Sequence, residues 1–312
     1  MEYIHLILGL IILYFSGKYL LNGGVALASH LKISTLVVGV TVVAFGTSAP
    51  EFFVSLDAAL KGFPEIAIGN VIGSDIANVA LVLGFAAILL PIPVRKKSVP
   101  IDWAVMMFSG LLLYLFIYLN DNLNTIEGII FLVLLTIFLY LTIHKSRKEN
   151  KIENEEIHKP EISLTKSIIL IIISSVGLYF GAEWLIKGAV KVAENLGVSQ
   201  RIIAVTVIAF GTSVPELATA LIAAVRKQTD ISIGTIIGSN IIDILGVLGM
   251  TSIIKNINIS FKIMEYDFYW MFAISMVLLL CLLPINRTVL TRFKGFILLL
   301  VYIVYIYFVI IG

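Results

Sequence analysis

Long apolar runs dominate this chain, and short polar breaks separate them. About 20 mostly apolar residues cover a bilayer core of roughly 30 Å as a helix. Ten stretches have that character: 3–22, 36–60, 66–91, 101–119, 126–143, 166–188, 202–225, 231–254, 264–284 and 293–311. The pattern predicts ten transmembrane helices. It excludes a transmembrane barrel, whose strands alternate over about 10 residues. The one polar connector is 144–165, which holds Lys145, Arg147, Lys148, Glu149, Lys151, Glu153, Glu155 and Glu156. It reads as a mobile, solvated loop. Ala26-Leu27-Ala28 looks like a signal-cleavage site, but Glu2 is acidic and no Lys or Arg precedes the first run. The first span is therefore expected to be retained.

Composition supports this reading. Hydrophobic residues make up 59% and charged residues 13%, with mean hydropathy +1.04. A soluble domain carries roughly 25% charged residues, so this chain cannot coat a globule with charge. The net charge of +2 is too small for a nucleic-acid partner. A single cysteine, Cys281, allows no internal disulfide and no thiolate metal site. Lys and Arg fix the sidedness. The odd-numbered connectors hold fifteen of them and the even-numbered ones six. Both termini are therefore expected outside, with 144–165 in the cytoplasm of a cell-membrane protein.

The chain repeats itself. VTVVAFGTSAPEFFVSLDA (40–58) matches VTVIAFGTSVPELATALIA (205–223) at an offset of 165. GNVIGSDIANVALVLG (69–84) matches GTIIGSNIIDILGVLG (234–249) at the same offset. The halves are residues 1–143 and 166–312, with the repeated blocks at about 39–84 and 204–249. Each half has five spans. Five is odd, so the second half enters from the opposite face. The predicted fold is an all-α membrane protein of two inverted-topology five-helix repeats, the plan of secondary transporters with a site at the midplane.

Acids stand where they are costly. An ionisable group at the bilayer centre costs at least ~2.5–3.5 kcal/mol and is functional by default. Glu51 and Glu216 fall mid-span at equivalent positions, and Asp243 is matched by Asn78. Helical spacing places Thr47 and Ser48 beside Glu51, and Thr212 and Ser213 beside Glu216. Ser74 and Ser239 stand four residues before Asn78 and Asp243. Pro50 and Pro215 are expected to kink or unwind 44–47 and 209–212, turning carbonyls of Ala44, Thr47, Ala209 and Thr212 inward. Gly46, Gly73, Gly211 and Gly238 permit close helix approach. An oxygen-only cluster suits hard cations such as Ca2+; transition metals want His or Cys. Such carboxylates can balance one divalent ion or several monovalent ions, but not both at once. That is the basis of an exchanger, and it needs no bound cofactor.

GTSAPE (46–51), GTSVPE (211–216), GNVIGSDIAN (69–78) and GTIIGSNIID (234–243) resemble the two alpha-repeats of the cation/calcium exchanger superfamily. The likeness is closest to the archaeal and bacterial sodium/calcium exchangers. It implies a core of spans two, three, seven and eight, across which spans one and six slide. It also implies a central Ca2+ site flanked by Na+ sites. By matching positions, Glu51 and Glu216 would be shared acidic ligands, and Thr47 and Thr212 would offer carbonyls to Ca2+. Ser48, Ser74, Ser213 and Ser239, with carbonyls of Ala44 and Ala209, would line the Na+ sites. Asn78 and Asp243 would complete the centre. The family's coupling, three Na+ for one Ca2+, is electrogenic. Asn78 leans toward potassium independence.

Asp75 is an added acid whose repeat partner is Asn240, so it reads as a mouth charge or a modifier of ion preference. Asp57 reads as a solvated residue near the end of its span, and the Glu183–Lys187 pair reads as structural. Trp103, Trp184 and Trp270 fit an interfacial belt, and the four histidines read as bystanders. The partners expected are Ca2+, Na+ and the lipid bilayer, with one copy sufficient to form the site. The rival readings are a Ca2+/H+ antiporter and a cation channel. An intramembrane hydrolase is disfavoured, since no His-Glu-x-x-His or Ser–His pairing appears in the spans.

Overall fold

A computed structural model of the chain describes residues 2–94, 99–153, 162–197, 211–283 and 288–311. Among them, eight helices are long and apolar enough to cross a membrane. A bent pair, Thr35–Thr47 and Ala49–Leu60, makes a ninth span with a 44° break. The seventh expected span is described only through its apolar second half, Val214–Val225.

The first repeat runs α1 (Glu2–Leu31), α2 (Thr35–Val38), a π-helical stretch Gly39–Val43, α3 (Ala44–Thr47), α4 (Ala49–Leu60) and α5 (Pro64–Ala77). A second π stretch, Asn78–Leu83, joins α5 to α6 (Gly84–Leu89). Strand β1 (Ile92–Val94), α7 (Val99–Asn120), β2 (Asn122–Leu123) and α8 (Thr125–Glu153) follow. The second repeat is α9 (Leu164–Asn195), α10 (Val214–Val225), α11 (Thr229–Ile242), a π stretch Asp243–Leu248 and α12 (Gly249–Ile254). It ends with β3 (Ile257–Asn258), α13 (Phe261–Cys281), β4 (Thr288–Leu290) and α14 (Arg292–Ile311).

The sequence offset reappears in the backbone. α4, α5, the π stretch Asn78–Leu83 and α6 each recur 165 residues later as α10, α11, the π stretch Asp243–Leu248 and α12. The left-handed turn residue Lys32 (φ 57°) answers to Gly197 (φ 78°), and Gly62 (φ 81°) answers to Lys227 (φ 60°). The α4–α5 hairpin is closed by Ser55 Oγ donating to the Ala67 carbonyl at 3.1 Å. The α10–α11 hairpin is closed at the same two positions with the roles exchanged, Ser232 Oγ donating to the Ala220 carbonyl at 3.2 Å. Two short antiparallel ribbons tie the repeats together, β1 with β4 and β2 with β3. Helix α7 separates β1 from β2, so the ribbons sit at opposite ends of the bundle, as an in-plane two-fold requires.

Two expectations shift. First, the polar residues after 143 do not begin a loop: α8 stays helical to Glu153. Lys, Arg and Glu are good helix formers, so hydropathy marks where the membrane ends, not where the helix does. Residues 154–161 lie outside the described set. Second, the break in the second span falls at Ser48 (φ −76°, ψ 5°), just past the predicted 44–47. A proline fits the first turn of a helix, so the chain stops at Ser48 and restarts with Pro50 inside the first turn of α4. Trp103 lies in the second turn of α7. Its indole N–H donates to the Ser275 carbonyl of α13 at 2.8 Å.

Helix α11 and the turns after it are buried along their length, and α5 nearly so. Around them packs the larger apolar cluster, including Ile72, Val79, Phe131, Ile241 and Phe268. A second cluster holds α1 and α9 together through Leu13, Leu20, Leu21, Leu178 and Ala182. This pair meets along glycines: a Cβ on Gly9 would lie 2.6 Å from the Leu185 nitrogen, and one on Gly188 2.8 Å from that of Leu6. Outward faces carry Ile7, Phe15, Ile172, Phe296 and Ile303, all exposed to the lipid.

Gly238 is the tightest backbone approach in the core. A Cβ there would lie 2.5 Å from Val40 Cα and 2.7 Å from its carbonyl carbon. Gly73 meets nothing within 4 Å among the described residues; its partner by symmetry would be Val205, which lies outside them. Gly238→Ala must push α11 away from the π stretch Gly39–Val43. It should cost about 1–3 kcal/mol, as overpacking does, read as a fall in the melting midpoint of the detergent-solubilised protein.

Candidate cation site

The broken helices aim their ends at one point. Ser48 and Ser213 occupy the two breaks with nearly equal torsions, the latter at φ −81° and ψ 2°. Glu51 and Glu216 follow in the first turns of α4 and α10, both wholly buried. A helix N-terminus carries positive partial charge, so these turns favour the carboxylates they hold. Asn78 and Asp243 open the two π stretches and are also wholly buried. Single π turns inside helices frequently mark functional sites.

Hydroxyl bridges stitch the halves together. Thr47 Oγ1 lies 3.3 Å from Ser239 Oγ, and Thr212 Oγ1 lies 3.1 Å from Ser74 Oγ. The two contacts are related by the 165-residue offset, so each half presents its threonine to the other's serine. Ser239 Oγ also donates to Glu216 Oε1 at 3.4 Å. Ala44 lies beside this network, with its carbonyl engaged by the Ser48 N–H at 2.9 Å and by Thr47 Oγ1 at 3.1 Å. Ala209, expected as its counterpart, lies outside the described residues.

Two residues left out of the sequence-based site belong beside it. Asn240 Oδ1 accepts from Asn78 Nδ2 at 3.2 Å, and Asn240 Nδ2 donates to the Asp75 carbonyl at 3.0 Å. Asp75 is 2% exposed, so it is not a mouth charge. The signal that could have found both was the repeat itself, since 75 and 240 are equivalent positions.

Many oxygens in this cluster are buried with no hydrogen-bond partner. They are both carboxylate oxygens of Glu51, Oε2 of Glu216, Oδ1 of Asn78 and the Ser213 hydroxyl, while the Ser48 hydroxyl and the Asp243 carboxylate have only each other. An unsatisfied buried group costs about 1–3 kcal/mol, and more when charged. Glu51 lies within Coulombic range of Glu216, Asp243 and Asp75. Among the described residues no Lys, Arg or His is buried to neutralise them. Nor do three His, Cys, Asp or Glu side chains among those residues form a metal cage by themselves. A cation here would need carboxylates mixed with amide, hydroxyl and carbonyl oxygens, a set that suits hard ions.

The sodium/calcium exchanger protein family matches residues 1–144 and 166–311. The chain belongs to this family of membrane transporters. It is similar to the putative antiporter CaxA of Alkalimonas amylolytica, with 35% identity over 97% of each chain. The sodium/calcium exchanger MaX1 of Methanosarcina acetivorans is 27% identical over 98% of this chain and 97% of its own. The solved sodium-calcium exchanger NCX_Mj superposes with a TM-score of 0.80 at 33% identity, covering 98% of this chain and 97% of that one. The family's matched range stops at 144 and resumes at 166, where the polar connector lies.

The amide of Asn240 holds two buried partners at once. Asn240→Ala should therefore destabilise the exchanger by about 1–3 kcal/mol for each group left unsatisfied. A thermal melt of the detergent-solubilised protein checks this.

Proposed function

We propose that this chain is a secondary active antiporter that exchanges Na+ for Ca2+ across the cell membrane by alternating access. The observation that carries the reading is the cluster of orphaned buried oxygens where the two repeats cross, with no basic residue beside it among the described residues. Acids in lipid without a protein counter-ion call for a mobile one. Ca2+ takes six to eight oxygens from carboxylates, carbonyls, amides and water. Glu51, Glu216, Asn78 and Asp243 supply the central set, with the Thr47 and Thr212 carbonyls. Ser48, Ser74, Ser213 and Ser239 line the flanking Na+ positions, with the Ala44 and Ala209 carbonyls. Ca2+ and Na+ draw on the same glutamates, so one load displaces the other.

An emptied site leaves its carboxylates desolvated and mutually repelling. That state resists rearrangement, and resistance to moving empty is what makes exchange obligatory. The α1–α9 pair supports a moving element, because it forms an apolar cluster distinct from the main core and meets along glycines. The Lys and Arg bias of the connectors puts both termini outside and 144–165 in the cytoplasm. One copy of the chain holds the whole site.

In proteoliposomes, an outward Na+ gradient should drive 45Ca2+ uptake, and dissipating it should stop uptake. Uptake driven by a pH gradient alone, indifferent to Na+, would favour a Ca2+/H+ antiporter instead. Glu51→Gln and Glu216→Gln remove shared ligands, and each should lower Na+-driven Ca2+ flux at least ~100-fold, as the loss of about 3 kcal/mol of ion binding implies. Near-normal flux in either variant would remove that glutamate from the site.

A further inference from the structure

The inverted repeat makes two corners of the bundle equivalent, and they are not built alike. At one corner α4 lies against α9, and Phe53 meets Tyr179 edge to face with ring centroids 6.0 Å apart. At the other, α10 lies against α1, and the equivalent residues are Ala218 and Tyr14. An alanine cannot reach across, and a groove of about 390 Å³ is left. Leu10, Leu185, Leu217 and Leu221 line it with Tyr14 and Ala218, and Arg226 stands at the end of α10. Leu10 and Tyr14 are exposed, so the groove opens sideways to lipid. It follows α10 from Val214 to Arg226. That helix has 12 residues, about 18 Å at 1.5 Å per residue. Half of a roughly 30 Å hydrocarbon core is close to this length, so the groove has the depth of one leaflet's acyl chain.

Charge separates the two corners as well. At the first, each cation is matched on its own helix: Lys61 pairs with Asp57 at 2.7 Å, and Lys187 with Glu183 at 2.6 Å. At the second, the acids are gone. Arg226 stands where the other repeat has Lys61, but Ile222 stands where it has Asp57. Lys18 replaces Glu183, and Asn22 replaces Lys187. Arg226 donates to Asn22 Oδ1 at 2.6 Å, a neutral partner that takes one of its five N–H groups. Lys18 lies one turn before Asn22 on the same face of α1. Neither cation has an acidic partner among the described residues. Two unmatched cations beside an apolar slot call for an amphiphile with an anionic head, and a guanidinium suits phosphate.

We propose that this groove binds one anionic phospholipid, its acyl chain along α10 and its phosphate held by Arg226 and Lys18. A zwitterionic lipid brings its own cation to a place that already has two. Free phosphate leaves the apolar walls uncovered. The site does not rest on the exchange activity proposed above.

Native mass spectrometry of the full chain in detergent, titrated with phosphatidylglycerol or phosphatidylcholine, tests this. The wild type should retain one phosphatidylglycerol at least about tenfold more tightly than phosphatidylcholine, the effect of one charged hydrogen bond. Ala218→Phe installs the side chain of the mirrored corner, fills the groove and should remove that tight binding. Lys18→Gln combined with Arg226→Gln should bring the two lipids to equal affinity. Equal retention of both lipids by the wild type, or selective phosphatidylglycerol binding unchanged in Ala218→Phe, overturns the proposal. If Ala218→Phe does not fold, the double glutamine variant decides, and a preference that survives in it overturns the proposal too.

Discussion

Several carboxylates are buried together in the middle of a membrane protein, and no buried Lys, Arg or His among the described residues sits beside them. Their mutual repulsion and desolvation set the terms for everything around them. The helices that carry them are broken, so that N-terminal turns and free polar groups face the charge instead of lipid. Irregular backbone at this depth survives only where protein or a watery cavity covers it. Here α5 and α11 cover it, and Gly234 and Gly238 of α11 let the chain before the first break approach to backbone contact. The remaining spans wrap this core and present apolar flanks to lipid.

Symmetry is the economical way to build such a pocket. One helical hairpin with a hydroxyl, a break and a glutamate, used twice in opposite orientations, gives a ligand set closed from both sides. The paired Thr47–Ser239 and Thr212–Ser74 bridges show the hairpins meeting through the same atoms. Departures from symmetry then carry information. Asn78 against Asp243, and Asp75 against Asn240, are where the two halves differ in charge, so ion preference and coupling have their natural control points there.

Much of this was legible in the chain. Span positions follow from apolar runs, because twenty residues of hydrocarbon leave few alternatives. The repeat followed from two blocks at one offset, and inversion from an odd number of spans. The acids stood out because their cost at that depth is large. What was not legible depends on tertiary contact or on local backbone choice. A proline predicts a disturbed helix but not whether the break falls four residues before it or two, as at Ser48. The π stretches have no signature in residue pattern. Lys145 to Glu153 continue a helix because their propensity, not their polarity, governs the backbone. Asn240 joins the site only because α11 is laid against α5, which spacing along one chain cannot show.

The central claim is that Glu51 and Glu216 clasp one divalent ion that Na+ displaces. Anomalous diffraction from crystals soaked in Sr2+ at rising Na+ tests it most directly. The account predicts a single strong Sr2+ peak between the two glutamates that fades as Na+ density grows at Ser48, Ser74, Ser213 and Ser239. A Sr2+ peak elsewhere, or one indifferent to Na+, would contradict it.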